Sequence, residues 1–498
     1  MSDVVDDKDV AYKAEADASA VRISPQHIPR REKAEHDAAV AGQMYFSHEK
    51  IHPREVKGRF ARLRTLAVFA LLGAFYATCW ISIDGQQILL FDLPARRFHI
   101  FGITLWPQDF IYLSAMLLLA ALSLFFFTAV AGRLWCGYAC PQTVWTELFM
   151  WIERWFEGPA ARRQKLDRRA WDLDKVLRKG GKHIAWAALA LFTGFTFVGY
   201  FTPIRELAGL AASFSLGPWE LFWIGLYSLA TWGNAGFLRE QVCKYMCPYA
   251  RFQSAMFDRN TLVISYDTER GEPRGSRRRG ADPKEAGLGS CIDCHLCVQV
   301  CPTGIDIRDG LQYECIGCAA CIDVCDDVMD KMGYPRGLVR YTTENALEGK
   351  PSRVLRPRVI AYGALIAIVS TVVLTTLIGR TPLIVDVMRD RNALFREVPG
   401  GLIENVYTLR IQNMDDDAHA YVISASGLDG VKMVAPEGPI DVAAGEVRTV
   451  VARLQVPYTK VSGSNDVEIE VAAMDAQRIR REETTRFLGP RRAGGTGQ

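Results

Sequence analysis

The chain has 498 residues, 49% of them apolar, and its 59 Lys plus Arg nearly balance 56 Asp plus Glu to leave a net charge of +3. That near-neutrality excludes a polycation binding nucleic acid through bulk charge, and the length allows roughly two to four domains. Thirteen cysteines without a signal peptide argue against a secreted disulfide scaffold.

Residues 1–60 are polar and charged, contain no apolar run, and are expected to form a largely disordered cytoplasmic tail. Five apolar stretches follow, at 66–83, 110–131, 184–201, 219–237 and 359–378, each long enough to cross a hydrocarbon layer of about 30 Å. The fourth is the weakest, carrying Glu220 at its start and Asn234 near its end. Residues 133–183 hold eleven Lys or Arg, whereas 84–108 hold only Arg96 and Arg97 and 203–216 only Arg205. The positive-inside rule therefore puts the N-terminus and the 133–183 loop in the cytoplasm. The sequence divides into a tail (1–60), four membrane helices (61–258), a cytoplasmic domain (259–358), a fifth membrane helix (359–380) and a periplasmic domain (381–498).

Cys136-x3-Cys140-Pro141 follows the second stretch, and Cys243-x3-Cys247-Pro248 follows the fourth. Cysteines at i and i+4 share one helix face, so each pair can approach one metal ion, and both pairs fall at the same membrane border. Soft thiolates select Cu(I), Zn(II) or iron–sulfur clusters, and a redox dithiol in each pair is a further reading. The bland alternative is that small apolar cysteines pack a helix boundary. Cys79, alone in the first stretch, reads as a core residue.

Between the fourth and fifth stretches, Cys291-x2-Cys294-x2-Cys297-x3-Cys301 and Cys315-x2-Cys318-x2-Cys321-x3-Cys325 repeat the spacing of a two-cluster bacterial ferredoxin. In such runs the fourth cysteine ligates the other cluster. One [4Fe-4S] cluster is thus assigned to Cys291, Cys294, Cys297 and Cys325, and the second to Cys315, Cys318, Cys321 and Cys301. Four-cysteine zinc sites usually pair two Cys-x2-Cys units rather than closing with x3. Cys291-Ile-Asp-Cys294-His295 also matches a c-type haem attachment pattern, against which stand the further cysteines at ferredoxin spacing; His295 reads as a loop residue beside the cluster. Pro302 follows Cys301, but Asp326 follows Cys325, so the turn and hydrogen bonding at that sulfur are expected to differ.

The C-terminal segment alternates as strands: Tyr407, Leu409 and Ile411; Val450, Ala452, Leu454 and Val456; Val467, Ile469 and Val471. Asp429-Gly430 and Ala444-Gly445 mark turns, and a cysteine-free, immunoglobulin-like β-sandwich is expected, serving as an interaction module. The fold class is thus a polytopic α-helical membrane protein of five spans, with an inserted two-cluster ferredoxin domain and a C-terminal all-β sandwich.

The segments Cys136-Gly-Tyr-Ala-Cys140-Pro-Gln-Thr-Val, Cys243-Lys-Tyr-Met-Cys247-Pro-Tyr-Ala-Arg-Phe-Gln-Ser, Asp267-Thr-Glu-Arg-Gly-Glu-Pro-Arg-Gly and Cys301-Pro-Thr-Gly-Ile-Asp-Ile-Arg-Asp-Gly-Leu-Gln closely resemble the cytochrome c oxidase accessory proteins CcoG, also called FixG or RdxA. The resemblance covers about residues 40–490. It implies a bacterial inner-membrane protein that assists assembly of the cbb-type oxidase as a Cu(II) reductase, with copper handled at Cys136, Cys140, Cys243 and Cys247. Copper ions, oxidase assembly factors or a copper chaperone, membrane lipid and a homo-oligomeric partner are the expected partners, without nucleic acid; the electron donor is left open. Two other readings compete: a quinol-linked electron carrier, with Glu220, Trp219 and Trp223 bordering a quinone pocket, and a non-catalytic scaffold.

Overall fold

A computed structural model describes residues 50–490 apart from 84, 280–281, 283–286, 392, 437 and 477. Most of the predicted disordered tail therefore lies outside the described residues. The chain divides into two compact units, one of residues 1–92 and 114–369, the other of 93–113 and 370–498.

Among the described residues four helices are long and apolar enough to cross a membrane, Arg59–Thr78, Pro107–Ala131, Leu173–Val198 and Pro357–Ile378. They coincide with the first, second, third and fifth apolar stretches. The α-helical parts of the first two and the last are α1 (Arg59–Thr78), α2 (Phe110–Ala131) and α8 (Pro357–Ile378), whose side chains are mostly exposed, as surfaces solvated by lipid must be. The third span is α4 (Leu173–Val198), which follows α3 (Pro141–Glu157). The fourth stretch differs. Its α-helix, α5, ends after 14 residues (Pro218–Thr231) and the chain continues as a π-helix over Trp232–Leu238. Gly233 and Gly236 lower the local helix propensity there, and Gln142 donates from Nε2 to the carbonyls of Asn234 at 2.9 Å and Arg239 at 3.0 Å, pinning the end of the segment.

Within the first unit the end of the tail is an ordered strap. Arg54 donates its backbone N–H to Gln299 O at 2.8 Å, Arg163 Nη2 donates to Pro53 O at 3.0 Å, and Lys50 pairs with Glu153 at 2.9 Å. The strap leads into α1, whose first N–H groups are capped from far along the chain. Phe60 and Ala61 donate to Asp323 at 3.1 and 2.7 Å, and Asp323 lies on α7 (Ala320–Met332). A Cβ on Gly58 would stand 2.2 Å from the Asp323 carboxyl carbon, so the approach requires glycine.

The second unit is a sandwich of two antiparallel sheets. Strands β1 (Leu383–Arg389), β2 (Arg396–Val398), β3 (Leu402–Asn413), β5 (Lys432–Val434) and β7 (Val447–Pro457) form one sheet in the order β5-β7-β3-β1, with β2 also on β3. Strands β4 (His419–Ser426), β6 (Ile440–Val442), β8 (Ser464–Ala473) and β9 (Arg480–Leu488) form the other in the order β6-β4-β8-β9. The alternation read from the sequence faces inward: Tyr407, Leu409, Ile411, Ala452, Leu454, Val456, Val467, Ile469 and Val471 are all fully buried. Gly430 and Gly445 take φ of +78° and +71° at the predicted turns. The loop between the first two apolar stretches joins this unit. It contains a hairpin pairing Arg97–Ile100 with Ile103–Leu105, Trp106 Nε1 donates to Met414 O at 3.0 Å, and Asp109 pairs with Arg380 at 2.7 Å.

Candidate iron–sulfur and border-thiol site

The two ferredoxin runs share one backbone pattern. Asp293 and Gly317, each two residues after the first cysteine, have φ of +54° and +69°. His295 and Ala319, each four residues after it, have φ of +54° and +61°. Side chains such as Ala and His adopt this region only at a cost, which is the kind of strain that persists at functional sites. Left-handed residues set between right-handed ones turn successive N–H groups toward one point and build the anion-binding nests found at iron–sulfur sites.

The cysteines line two neighbouring hollows. One is lined by Cys291, Cys294, Cys297 and Cys325 together with Tyr266, Leu296, Val324, Val328 and Leu338. The other is lined by Cys301, Cys315, Cys318 and Cys321, with Cys297 on the shared wall. Cys325 thus sides with the first run and Cys301 with the second. Among the described residues no three His, Cys, Asp or Glu stand close enough to hold a single ion. Thiols spread around an apolar hollow fit a multi-atom cluster, so the donor set, the spacing and the nests together fit [4Fe-4S] groups.

The difference after the two fourth cysteines has a structural consequence. Pro302 follows the short helix Leu296–Gln299, whereas Asp326 lets α7 run on through Cys321 and Cys325 to Met332, and its Oδ1 accepts the Gly337 N–H at 2.9 Å. His295 lies beside the first hollow, its Nδ1 2.8 Å from Arg308 Nη2, and its ring is largely exposed.

The border motifs do not lie on continuous helices, which corrects the i, i+4 expectation. Cys136 sits in a short helix, Leu134–Tyr138, and Cys243 in a π-helical turn, Val242–Met246. Cys140 and Cys247 are the residues before the next helices, extended at ψ of 128° and 108°, with Pro141 and Pro248 opening α3 and α6 (Pro248–Met256). Proline at the first helical position lacks an N–H and forces its predecessor out of the helical region, so each Cys-x3-Cys-Pro contains a bend. The bends bring the pairs together nonetheless. The Cys243 thiol is pushed up to about 12 by burial and by the charges of Cys140, Cys136 and Cys247, and Cys136 up to about 11 by burial and by Cys140. In this conformation a single ion meets at most a pair of these sulfurs.

These thiols abut the second hollow. Cys136 and Cys243 pack against a buried cluster of Val300, Ile316, Cys318, Ala320 and Val324. A Cβ on Gly137 would lie 2.7 Å from Gly317 O and 3.0 Å from the Cys318 Cα, so the first motif and the second cysteine run touch backbone to backbone. Cys79 is fully buried in a separate core, as expected, while Trp219 and Trp223 are exposed on α5.

A buried ionic network lies behind the border motifs. Glu153, fully buried on α3, accepts from Arg163 at 3.0 Å and Arg239 at 2.8 Å, with Lys182 at 3.8 Å and Lys50 at 2.9 Å. No regular spacing in the sequence announces this network, because its five members come from five separate segments.

Comparison with known proteins agrees with this architecture. Residues 238–344 match the family described as "4Fe-4S dicluster domain", residues 113–159 a "4Fe-4S binding domain", and residues 373–490 the "IG-like fold at C-terminal of FixG". The nitrogen fixation protein FixG of Rhizobium meliloti is 39% identical over 433 residues, covering 80% of this chain and 83% of FixG. Protein RdxB of Cereibacter sphaeroides is 41% identical over 397 residues, covering 77% and 83%. A crystal structure of a FixG-related protein from Vibrio parahaemolyticus, 28% identical, covers 22% of this chain and 97% of its own, with a TM-score of 0.20.

Proposed function

The chain belongs to the FixG/RdxA family of iron–sulfur proteins, and from that premise we propose that it is a membrane electron carrier that reduces Cu(II) to Cu(I) for assembly of a cbb-type cytochrome c oxidase. The observation that carries the reading is the contact of Gly137, inside the first border motif, with Gly317 and Cys318 of the second cysteine run. A thiol pair suited to a soft ion therefore adjoins a site suited to a one-electron cofactor.

Cys291, Cys294, Cys297 and Cys325 would hold one [4Fe-4S] cluster and Cys315, Cys318, Cys321 and Cys301 the other, matching the two hollows. Each cluster, when bound, stores and releases one electron, the amount that converts one Cu(II) to Cu(I). Cys136, Cys140, Cys243 and Cys247 supply the soft donors that Cu(I) prefers, whereas Cu(II) favours nitrogen and oxygen in tetragonal geometry, so binding at sulfur favours the reduced product. Cys136 and Cys243 are half-buried, with one side packed against apolar residues of the cysteine runs.

The protein resides in the bacterial inner membrane in this reading, with Pro218–Leu238 as the additional span. The sidedness is supported by the two units themselves: the 93–113 loop folds with the C-terminal sandwich, as two periplasmic segments can, and the basic 133–183 segment folds with the ferredoxin runs.

The match of residues 113–159 to a 4Fe-4S binding family favours a second reading, in which the border cysteines hold iron. Metal analysis separates the two. Protein carrying Cys136→Ala and Cys140→Ala, purified anaerobically and exposed to Cu(I), is expected to keep wild-type iron while losing most of its bound copper. Loss of iron in step with these cysteines would instead assign them to a cluster.

A further inference from the structure

Arg133, three residues before Cys136, is only 7% exposed, yet among the described residues no carboxylate pairs with it. Its Nη1 donates to the carbonyls of Tyr313 and Cys315, the latter at 3.1 Å, and its Nη2 to Ala250 O at 2.6 Å, while Nε has no partner. Burying a guanidinium without a counter-ion is strongly unfavourable, and three carbonyl contacts supply only partial charge. The groups whose charge it feels are the thiols of Cys136, Cys315 and Cys243 and the carboxylate of Glu314, and its hydrogen bond to the Cys315 carbonyl places it at the second cysteine run.

The first hollow is built differently. Its arginine, Arg308, is also buried, but it is neutralised: Nε lies 2.8 and 3.0 Å from the two Asp306 oxygens and Nη1 2.5 Å from Asp293 Oδ1. Asp326 adds a further negative charge beside Cys325. At the second hollow the half-buried Arg64 adds a further positive charge felt by Cys318, although Glu147 and Asp323 also lie within its reach.

We propose that Arg133 is the fixed counter-charge of the second iron–sulfur site, a positioning residue that makes the site beside the border thiols the more easily reduced of the two. A thiolate-ligated cluster is anionic and gains one further negative charge on reduction, so an unpaired cation held beside it in a poorly screened interior favours the reduced form. At the first site the paired Arg308 and the extra carboxylates withhold that bias. The inference rests on the two-cluster reading given above.

Potentiometric titration of the full-length protein in detergent, followed by electron paramagnetic resonance and with iron determined in each sample, tests it. Wild type is expected to show two unequal midpoint potentials, with the higher one retained in Cys325→Ala protein, which keeps only the second site. Arg133→Gln is expected to lower the higher midpoint and leave the other in place, and Arg133→Lys, which keeps the charge, to hold the higher midpoint near wild type. Full iron in Arg133→Gln with both midpoints unmoved overturns the inference alone. If that variant does not load iron, equal midpoints in wild type, or movement of the lower midpoint in Arg133→Lys, overturn it. A single cluster in wild type overturns both the inference and the two-cluster reading beneath it.

Discussion

Replacing Cys301 with Ala is expected to remove the cluster of the second run, not that of its own run, and replacing Cys325 with Ala to remove the cluster of the first. Each variant should lose about half of the iron, since each cube holds four of roughly eight atoms. The expectation follows from the hollows: Cys301 lines the one formed by Cys315, Cys318 and Cys321, and Cys325 lines the one formed by Cys291, Cys294 and Cys297. Pairing each loss with Cys294→Ala and with Cys318→Ala makes the test selective. Cys301→Ala added to Cys318→Ala should cost little further iron, whereas Cys301→Ala added to Cys294→Ala should abolish nearly all of it. Iron that tracked each run separately would contradict the crossed assignment.

The second large effect lies away from the clusters. Glu153→Ala is expected to destabilise the first unit by about 3–5 kcal/mol, the usual result of removing one partner from a buried ion pair. Arg163 and Arg239, at 3.0 and 2.8 Å from the same carboxylate oxygen, would be left buried without their counter-charge. Burial alone would raise the Glu153 pKa, but Arg239, Lys50, Lys182 and Arg163 together hold it well below the usual carboxylate range. A depressed pKa contributes stability above the unfolded carboxylate value, about 4.3, and that contribution is lost as pH falls toward the folded value. Thermal unfolding in detergent should therefore show wild type losing stability as pH falls below about 4, with a flatter response in Glu153→Gln. A Glu153→Ala protein as stable as wild type would show that the network is dispensable. The consequence reaches the border site, because Arg239 ends the π-helical segment four residues before Cys243 and carries a φ of +40° that only a well-held side chain sustains.

What the sequence made legible follows from periodicity. The eight ferredoxin cysteines repeat at fixed intervals, a spacing that carries the expectation of a crossed grouping, and Cys325 and Cys301 line the hollows in the matching way. Tyr407, Leu409 and Ile411 alternate at the strand period because one face of an antiparallel sheet is buried, so their inward direction was readable too. The i, i+4 spacing of each Cys-x3-Cys-Pro motif points to one helix face, and the proline after the second cysteine is the signal for the bend that the structure shows. Arg133 carried no signal, since one arginine before a motif looks like any cytoplasmic loop charge until its burial is known. The strap at 50–58 and the hairpin at 97–105 were equally silent. Their places are set by long-range partners such as Gln299 and Met414, which no local pattern encodes.

The border thiols and the second hollow are held together by close contacts, the Gly137 approach to Gly317 and Cys318 and the packing of Cys136 and Cys243 against Cys318. In the proposed reading, a cofactor at that hollow and copper at those thiols would exchange one electron over a short distance. Purified protein, reduced anaerobically and freed of excess reductant, is mixed with Cu(II) while cluster absorbance is recorded and Cu(I) is trapped by a chelator. The account predicts prompt cluster reoxidation with close to one Cu(I) per electron lost, abolished in Cys140→Ala and Cys247→Ala proteins that keep their iron. Reduced clusters that remain reduced in the presence of Cu(II), with all thirteen cysteines intact, would contradict it.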